Sequence, residues 1–94
     1  MAELLDDESI DRKLQQLGGW ERDGDTITRT FTFQNFLESM EFVNSLVNPA
    51  ETMNHHPDIS ISYNEVTLSL TTHSEGGLTE NDFQLAGQID DLAS

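Results

Sequence analysis

Residues 59–70 read ISISYNEVTLSL, and the spacing of the apolar residues here gives the strongest indication of the fold class. Its apolar residues fall on every second position in two runs, which are Ile59, Ile61 and Tyr63, and then Val66, Leu68 and Leu70. Alternation with a period of two is typical of strands that bury one face. The two runs meet at Asn64-Glu65, and asparagine is favoured in tight turns. The sequence therefore predicts an antiparallel hairpin with one apolar side and one polar side.

An earlier hairpin is predicted in WERDGDTITRTFTF, residues 20–33. Asp23-Gly24 is a turn signal. Threonine occupies alternate positions from Thr28 to Thr32. The positions between and around them hold Ile27, Arg29, Phe31 and Phe33. Two hairpins supply four strands, each with a single apolar side.

Helices are predicted before, between and after the hairpins. SIDRKLQQL, residues 9–17, begins with Ser9 as its N-cap, and Gly18-Gly19 ends it. The last helix is capped by Thr79 together with Asp82. Its apolar stripe consists of Phe83, Ala86 and Ile89.

The middle helix is predicted to be the longest. Asn35 with Glu38 resembles a capping box at its start. Its apolar stripe, at helical spacing, consists of Phe36, Met40, Val43 and Val47. Pro49 interrupts this pattern, and Asn48-Pro49 itself looks like a new helix start. We therefore expect a kink or a restart at Pro49.

The predicted element order is αββαββα, which indicates an α+β fold. Strands with one apolar side need helices on that side, so we expect a four-stranded antiparallel sheet with helices packed on one face. A chain of 94 residues leaves room for one modest core. Residues 1–94 are therefore expected to form a single domain.

The chain is strongly acidic, with 18 Asp and Glu against four Lys and Arg and a net charge of −14. The basic residues form no patch for phosphate groups, which argues against nucleic acid, nucleotide or polyphosphate ligands. They are Arg12, Lys13, Arg22 and Arg29. An acidic, hydrated surface suits concentrated salt, so we predict a halophilic protein. An acidic surface without environmental meaning is the alternative.

We expect no targeting signal in this sequence, and it contains no cysteine. The segment MAELLDDESID, residues 1–11, is too acidic and too poor in apolar residues for a signal or transit peptide. No run approaches the roughly 18 apolar residues of a membrane span. We therefore expect a cytoplasmic protein with no membrane partner. Without cysteine there is no disulfide, no thiolate nucleophile and no thiolate metal site.

The chain's three histidines are expected to meet at one end of the sheet. His55 and His56 precede Pro57, which places them at a helix-to-strand junction. His73 follows the second hairpin on the polar side of its alternation. The hairpin brings the start of one strand beside the end of the other, so the segments that carry the histidines come together.

Histidines beside carboxylates can bind a metal or transfer protons. Adjacent histidines tend to point apart, whereas metal ligands are usually spaced two to four residues apart, which favours proton transfer over a metal site. Glu51 lies four residues before His55 and could orient it, although a helix-capping role explains it equally well. Asp82 has the same two interpretations. Trp20 and Tyr63 are most simply core or edge aromatics.

The histidines belong to a longer pattern of fixed spacing. Glu51 is followed after three residues by His55-His56-Pro57, after five by Tyr63, after nine by His73 and after eight by Asp82. This spacing resembles the signature of the pterin-4a-carbinolamine dehydratases. Residues 18–20, 31–36 and 77–86, which read GGW, FTFQNF and GLTENDFQLA, resemble the family's other landmarks. The resemblance therefore covers essentially the whole chain.

The resemblance implies a four-stranded antiparallel sheet with helices on one side. It also implies a dehydratase that converts a 4a-hydroxytetrahydropterin, such as 4a-hydroxytetrahydrobiopterin, into the quinonoid dihydropterin. That reaction needs an acid for the leaving hydroxyl and a base for the proton on N5 of the pterin. Histidines supply both near neutral pH without a metal or an organic cofactor.

Residue roles carry over by motif position. His55 and His73 become the leading acid/base candidates, and His56 shapes the pocket or shares the proton transfer. The resemblance implies that Glu51 and Asp82 orient the imidazoles. It also implies that the backbone or side chains of Asn54, Thr71, Thr72 and Ser74 line the pterin. Pro49, inside the helix that leads to Glu51, is the clearest departure from the family pattern.

Two other functional classes remain open. Members of this family can resemble small dimerisation modules, so a coactivator-like binding protein with a vestigial site is the main alternative to an enzyme. A histidine and carboxylate metal-binding protein is the third class. An exposed sheet edge in so small a chain favours a homodimer or homotetramer.

Overall fold

Two hairpins join into one four-stranded antiparallel sheet in the computed structural model, which describes residues 3–94. The strands are β1 (Glu21–Asp23), β2 (Thr26–Thr32), β3 (Asp58–Ser62) and β4 (Glu65–Leu70). Their spatial order is β1-β2-β4-β3, and each neighbouring pair is antiparallel. This confirms the predicted α+β fold and its sheet.

The helices surround the hairpins in the predicted order. They are α1 (Asp7–Leu17), α2 (Phe36–Ser45), α3 (Val47–Met53) and α4 (Glu80–Ala93), with a short 3-10 turn at His73–Glu75. With 14 residues α4 is longer than α1, α2 or α3, so the expectation that the middle helix is the longest was wrong. The middle helix is divided into α2 and α3.

The core lies between the sheet and the helices. On this side β4 buries Val66, Leu68 and Leu70, and β2 buries Ile27 and Phe31. The helices contribute Ile10, Phe42, Leu46, Phe83, Leu85, Ala86 and Ile89 to the same cluster. On the open side of the sheet, hydroxyl groups pair across strands, with Thr30 and Thr67 at 2.9 Å. The helices therefore pack on one face, as the alternation predicts.

The β3–β4 hairpin turns one residue earlier than predicted. Ser62 pairs with Glu65, so the turn residues are Tyr63 and Asn64. The Asn64 carbonyl accepts a hydrogen bond from the Phe33 N–H at 2.8 Å, and the Asn64 side-chain amide donates to the Phe33 carbonyl at 3.0 Å. These bonds hold Asn64 in the turn. Tyr63 becomes an exposed turn residue with φ of 52° and leaves the strand.

The start of α1 also differs from the prediction. Asp6 is the N-cap, because its Oδ1 accepts a hydrogen bond from the Ser9 N–H at 2.8 Å. This bond lowers the pKa of the Asp6 carboxyl. Ser9 therefore donates to the cap and was wrongly predicted to be the cap itself. Gly18, with φ of 68°, ends the helix as predicted.

The break between α2 and α3 falls at Leu46, three residues before Pro49. Proline has no N–H to donate to the carbonyl four residues earlier, and its ring clashes with that carbonyl. The residue four before Pro49 is Ser45, where α2 ends. A restart was therefore correct, but Asn48 lies inside α3 and is not its N-cap.

The predicted apolar stripe of the middle helix was only partly correct. Val43 packs against the core, but Phe36 and Val47 are 51% and 56% exposed. The buried side instead carries Phe42, whose ring lies 5.0 Å, between centroids, from the rings of both Phe31 and Phe33. These aromatic contacts with the sheet set the rotation of the helix. The second apolar side of the middle helices is left at the surface.

A polar cluster joins the start of the sheet to α4. The Trp20 Nε1–H donates to Asp90 Oδ1 at 3.0 Å, and the Arg29 guanidinium donates to the same oxygen at 3.0 Å. Burial raises the pKa of the Asp90 carboxyl, although the Trp20 hydrogen bond and the Arg29 charge act in the opposite direction. Arg29 also stacks on Phe31, 4.5 Å from the ring centroid. Trp20 is thus a core aromatic with a polar partner.

Few of the acidic side chains form ion pairs with lysine or arginine. Within residues 3–94, Lys and Arg form three ion pairs, which are Lys13–Glu80, Arg22–Asp7 and Arg29–Asp90. Most of the 18 acidic residues therefore lack a basic partner. No helix in this part of the chain combines the length and apolar character needed to cross a membrane.

We expect the melting temperature to rise markedly between 0.01 M and 1 M KCl. The Debye length falls from about 30 Å to about 3 Å over this range, which screens the repulsion among unpaired carboxylates. Circular dichroism melts in KCl, with sorbitol as an uncharged control solute, measure the effect. A melting temperature that does not change with KCl would contradict the halophilic interpretation.

Candidate active site

The adjacent histidines follow directly on the end of α3. Asn54 is the C-cap of that helix and adopts the left-handed conformation, with φ of 50° and ψ of 45°. This conformation stops the helix before His55. The two imidazoles then reach different carboxylates. His55 Nε2 lies 2.6 Å from Asp82 Oδ1, and His56 Nε2 lies 2.5 Å from Glu51 Oε2.

The His55–Asp82 pair is in the interior. His55 is 9% exposed, and Asp82 is fully buried in the first turn of α4. Asp82 Oδ2 accepts two further hydrogen bonds, from the Thr72 hydroxyl and from the Thr79 N–H, each at 2.9 Å. The sequence left open whether Asp82 caps a helix or contacts a histidine. It makes both contacts, one with each oxygen.

His73 stands at the surface on an adjacent loop. It begins the 3-10 turn that follows β4, and Thr72 closes this loop by an antiparallel bridge to Gly77. Thr72 precedes His73 in the chain and donates to the same carboxylate that contacts His55. Asp58 pairs with Ser69, so the residues before β3 and after β4 lie at the same end of the hairpin. The histidine segments are therefore neighbours.

The His56–Glu51 pair is at the surface, where the side chains are 54% and 68% exposed. Glu51 was expected four residues before His55 on one helical face, but it contacts His56 instead. The reason is that Asn54 ends the helix, and the His55 ring is taken by Asp82. The pair borders an open groove of about 310 Å³. The other lining residues are Val43, Asn44, Leu46, Val47, Ala50, Pro57 and Ile59.

The predicted pterin-lining residues have different surroundings. Asn54 and Ser74 are exposed. The Thr71 hydroxyl donates to the Asp25 carbonyl at 2.6 Å. The Thr72 hydroxyl is buried and lies 2.8 Å from the Thr79 hydroxyl. The Thr72 backbone is also engaged, because its N–H donates to the Gly77 carbonyl and its carbonyl accepts from the Gly76 N–H, each at 3.0 Å.

Sequence reasoning assigned Thr79 to helix capping and did not place it in the site. Thr79 is fully buried and contacts both Thr72 and Asp82. The capping-box spacing of Thr79 and Asp82 was the available signal, because the same box positions the carboxylate. The contact with Thr72 is a tertiary one that spacing alone does not reveal.

The histidines and carboxylates form separate pairs and not one cluster. Within residues 3–94, no group of three His, Cys, Asp or Glu side chains has the geometry of a metal site. Each imidazole that contacts a carboxylate does so through a single nitrogen. The arrangement is suited to holding a histidine ring in a fixed orientation and charge environment.

Sequence comparison relates almost the whole chain to known proteins. Residues 3–92 match the family model described as pterin 4 alpha carbinolamine dehydratase. The chain is 53% identical over 92 residues to a protein of Picosynechococcus sp., covering 98% of this chain and 100% of that protein. It is 47% identical over 88 residues to a protein of Sulfolobus acidocaldarius, covering 94% and 97%. Both relatives are provisionally named pterin-4-alpha-carbinolamine dehydratases.

Solved structures show the same architecture. A transcriptional coactivator/pterin dehydratase from Brucella melitensis matches with a TM-score of 0.94 and 33% identity, covering 98% of this chain and 100% of that one. A pterin dehydratase-like protein identified as a RuBisCO assembly factor matches with a TM-score of 0.65 and 21% identity, covering 80% and 87%. At 21% identity, the second match shows the fold alone.

Proposed function

The chain belongs to the pterin-4a-carbinolamine dehydratase family, and we propose that it dehydrates a 4a-hydroxytetrahydropterin, such as 4a-hydroxytetrahydrobiopterin. The observation that carries the proposal is the buried contact between His55 and Asp82 beside the loop of His73. It supplies a histidine held by a carboxylate, and Thr72, which contacts the same carboxylate, is followed in the chain by the exposed His73.

The proposed reaction is an elimination of water. The C4a–O bond breaks as the hydroxyl takes a proton and leaves as water. The proton on N5 is lost, and its electron pair forms the C4a=N5 double bond of the quinonoid dihydropterin. One general acid and one general base are sufficient, and imidazoles can serve as either near neutral pH. The proposed mechanism uses no metal and no organic cofactor.

In this proposal His55 and His73 are the acid/base pair. Asp82 orients His55, and its negative charge favours the imidazolium that forms when His55 takes a proton. His56, held by Glu51 beside the groove, shapes the pocket or shares the proton transfer. Backbone or side-chain groups of Asn54, Thr71, Thr72 and Ser74 line the substrate.

The charge of the protein suits this substrate. A pterin ring is flat and carries no phosphate, so its binding needs hydrogen bonds and an apolar wall more than a basic patch. The four basic residues of the chain include three that are paired with carboxylates within residues 3–94. The acidic surface gives no support to nucleic acid as a partner.

Exposed apolar side chains support a second candidate function, a partner-binding module. They are Phe36, Leu37, Val47, Ile59 and Tyr63, on α2, α3, β3 and its turn. Val47 and Ile59 line the same groove, and apolar side chains grouped at a surface mark protein interfaces. The same residues support the proposal of a homodimer or homotetramer, in which a second copy covers them. A binding role and a dehydratase role are compatible in one protein.

A turnover assay on a 4a-hydroxytetrahydropterin tests the proposed function. We expect the protein to form the quinonoid dihydropterin faster than the spontaneous reaction, with an unchanged rate in EDTA. Ultraviolet absorbance follows the product, and an equal mass of an unrelated acidic protein is the control. A rate equal to the spontaneous one would favour the binding module, and loss of the rate in EDTA would favour a metal site.

A further inference from the structure

The Thr72 hydroxyl has an interior position, and the proposed mechanism gives it no part in proton transfer. It is 6% exposed, and its hydroxyl lies between Thr79 Oγ1 at 2.8 Å and Asp82 Oδ2 at 2.9 Å. A hydroxyl carries one hydrogen, and an ionised carboxylate can only accept. Thr72 therefore donates to Asp82, and the Thr79 hydroxyl donates to Thr72. The direction of this buried chain of hydrogen bonds is thus determined.

The chain of hydrogen bonds leaves one carboxylate oxygen for the histidine. Oδ2 of Asp82 receives the Thr72 hydroxyl and the Thr79 N–H, so Oδ1 faces His55 alone. An acceptor at 2.6 Å from Nε2 requires a proton on that nitrogen. Neutral His55 is therefore the Nε2–H tautomer, with its lone pair on Nδ1.

Nδ1 of His55 is not fully enclosed in the interior. Within residues 3–94, every buried polar side-chain atom has a hydrogen-bond partner. The side-chain hydrogen bond of His55 is made by Nε2. Nδ1 therefore belongs to the small part of the ring that remains exposed, since a buried Nδ1 would need a partner of its own.

We propose that Thr72 and Asp82 are positioning residues that hold His55 as the Nε2–H tautomer and present Nδ1 to the substrate as the proton-transferring atom. This inference rests on the proposed dehydratase function and adds to it the reacting atom and the role of Thr72. Nδ1 takes the N5 proton as the base, while His73 acts as the acid and protonates the departing hydroxyl. The C4a–O bond breaks, C4a=N5 forms, and Asp82 stabilises the imidazolium.

The tautomer is measured by nuclear magnetic resonance on protein with nitrogen-15 in its histidine rings, at a pH where the ring is neutral. His56→Gln and His73→Gln assign the three sets of signals. We expect the Nε2–H form for His55 in the natural protein. In Asp82→Asn the Thr79 N–H still needs an oxygen acceptor, so the side-chain oxygen of the asparagine should face Thr79 and its NH2 group should face His55 Nε2. Nε2 must then accept a hydrogen bond, so the tautomer should change to Nδ1–H.

An Nδ1–H form in the natural protein, or an unchanged tautomer in folded Asp82→Asn, would overturn the inference. The measurement needs no turnover, so a protein without dehydratase activity would reject the proposed function separately. The matching kinetic result is a loss of about 10² or more in kcat for Asp82→Asn, because the base is then protonated on the nitrogen that faces the substrate.

Thr72 provides a test that does not depend on how Asp82→Asn folds. Thr72→Val keeps the shape and removes the hydroxyl, so the carboxylate loses one of the donors that fix Oδ2. We expect a loss of roughly 10-fold in kcat, with little change in KM, and His55 ring signals that move toward a mixture of tautomers. Thr72→Ser should recover most of kcat and the original signals.

Thr67→Val is the matched control for Thr72→Val. Thr67 also pairs with a second hydroxyl, Thr30 at 2.9 Å, but on the open side of the sheet. It should leave both kcat and the His55 signals unchanged. Equal losses of kcat in Thr72→Ser and Thr72→Val, without any change in the His55 signals, would show that Thr72 contributes packing only and would overturn its positioning role.

Discussion

His73→Ala and His55→Ala are each expected to lower dehydratase turnover by about 10²- to 10⁴-fold, which is the usual contribution of a positioned general acid or base. The hydroxyl leaves as water only when it is protonated, and N5 must lose its proton in the same reaction. His73 stands on the loop next to Thr72, while His55 is held by Asp82. Removal of either imidazole takes away one of the two proton-transfer groups.

The double variant should lose less than the product of the two single losses, because both histidines act on the same transition state. Glu51→Gln is the comparison variant, and it should cost less because the Glu51–His56 pair is exposed to solvent. Turnover of all four proteins is measured with and without EDTA. Near-full activity in both single variants would remove the proposed mechanism, and loss of activity in EDTA alone would assign the site to a metal.

Asp82→Ala is expected to be the most destabilising single substitution in the site. It leaves three interior donors without a partner, which are His55 Nε2–H, the Thr72 hydroxyl and the Thr79 N–H. An unsatisfied buried group costs about 1–3 kcal/mol, and removal of one member of a buried pair costs about 3–5 kcal/mol. We expect a loss of about 3–5 kcal/mol in the free energy of unfolding.

Asp91→Ala is the matched control, because it removes the same charge from the same helix at an exposed position. Urea unfolding at one fixed salt concentration compares the variants with the natural protein. In a chain with net charge −14, the loss of one carboxylate should by itself reduce the repulsion among the remaining negative charges. A loss of stability in Asp82→Ala therefore cannot come from the change of charge alone. Equal unfolding free energies for Asp82→Ala and Asp91→Ala would contradict the structural role assigned to the buried carboxylate.

The sheet was predictable because the sequence patterns that specify it lie within short, continuous segments. Alternation in residues 59–70 and in residues 26–33 specifies which side of each strand is apolar, and a hairpin pairs neighbours in the chain. The errors at Asn64-Glu65 and Ser9 were shifts within a correctly located turn and a correctly located helix. Residues outside those segments, Phe33 in one case and Asp6 in the other, determined the final register.

The orientation of the middle helices was not predictable from spacing. The segment has two apolar sides, and the buried one is chosen by the contacts of Phe42 with Phe31 and Phe33. The site shows the same limit. That the histidine segments lie together followed from the hairpin, but the partners of the histidines did not, since Asp82 is 27 residues from His55 in the chain. The single-domain expectation and the individual residue roles stay predictions.

Because Trp20 contacts Asp90, the protein's intrinsic fluorescence reports on the packing of α4. The chain has one tryptophan, so all indole emission comes from Trp20. This residue is 5% exposed, and its indole N–H is hydrogen-bonded to Asp90 in the later half of α4. The same helix carries Asp82 in its first turn. A shift of the emission toward that of a hydrated indole therefore signals that α4 has left the sheet. Spectra taken alongside kinetics can thus distinguish a variant with altered chemistry from one whose helix has detached.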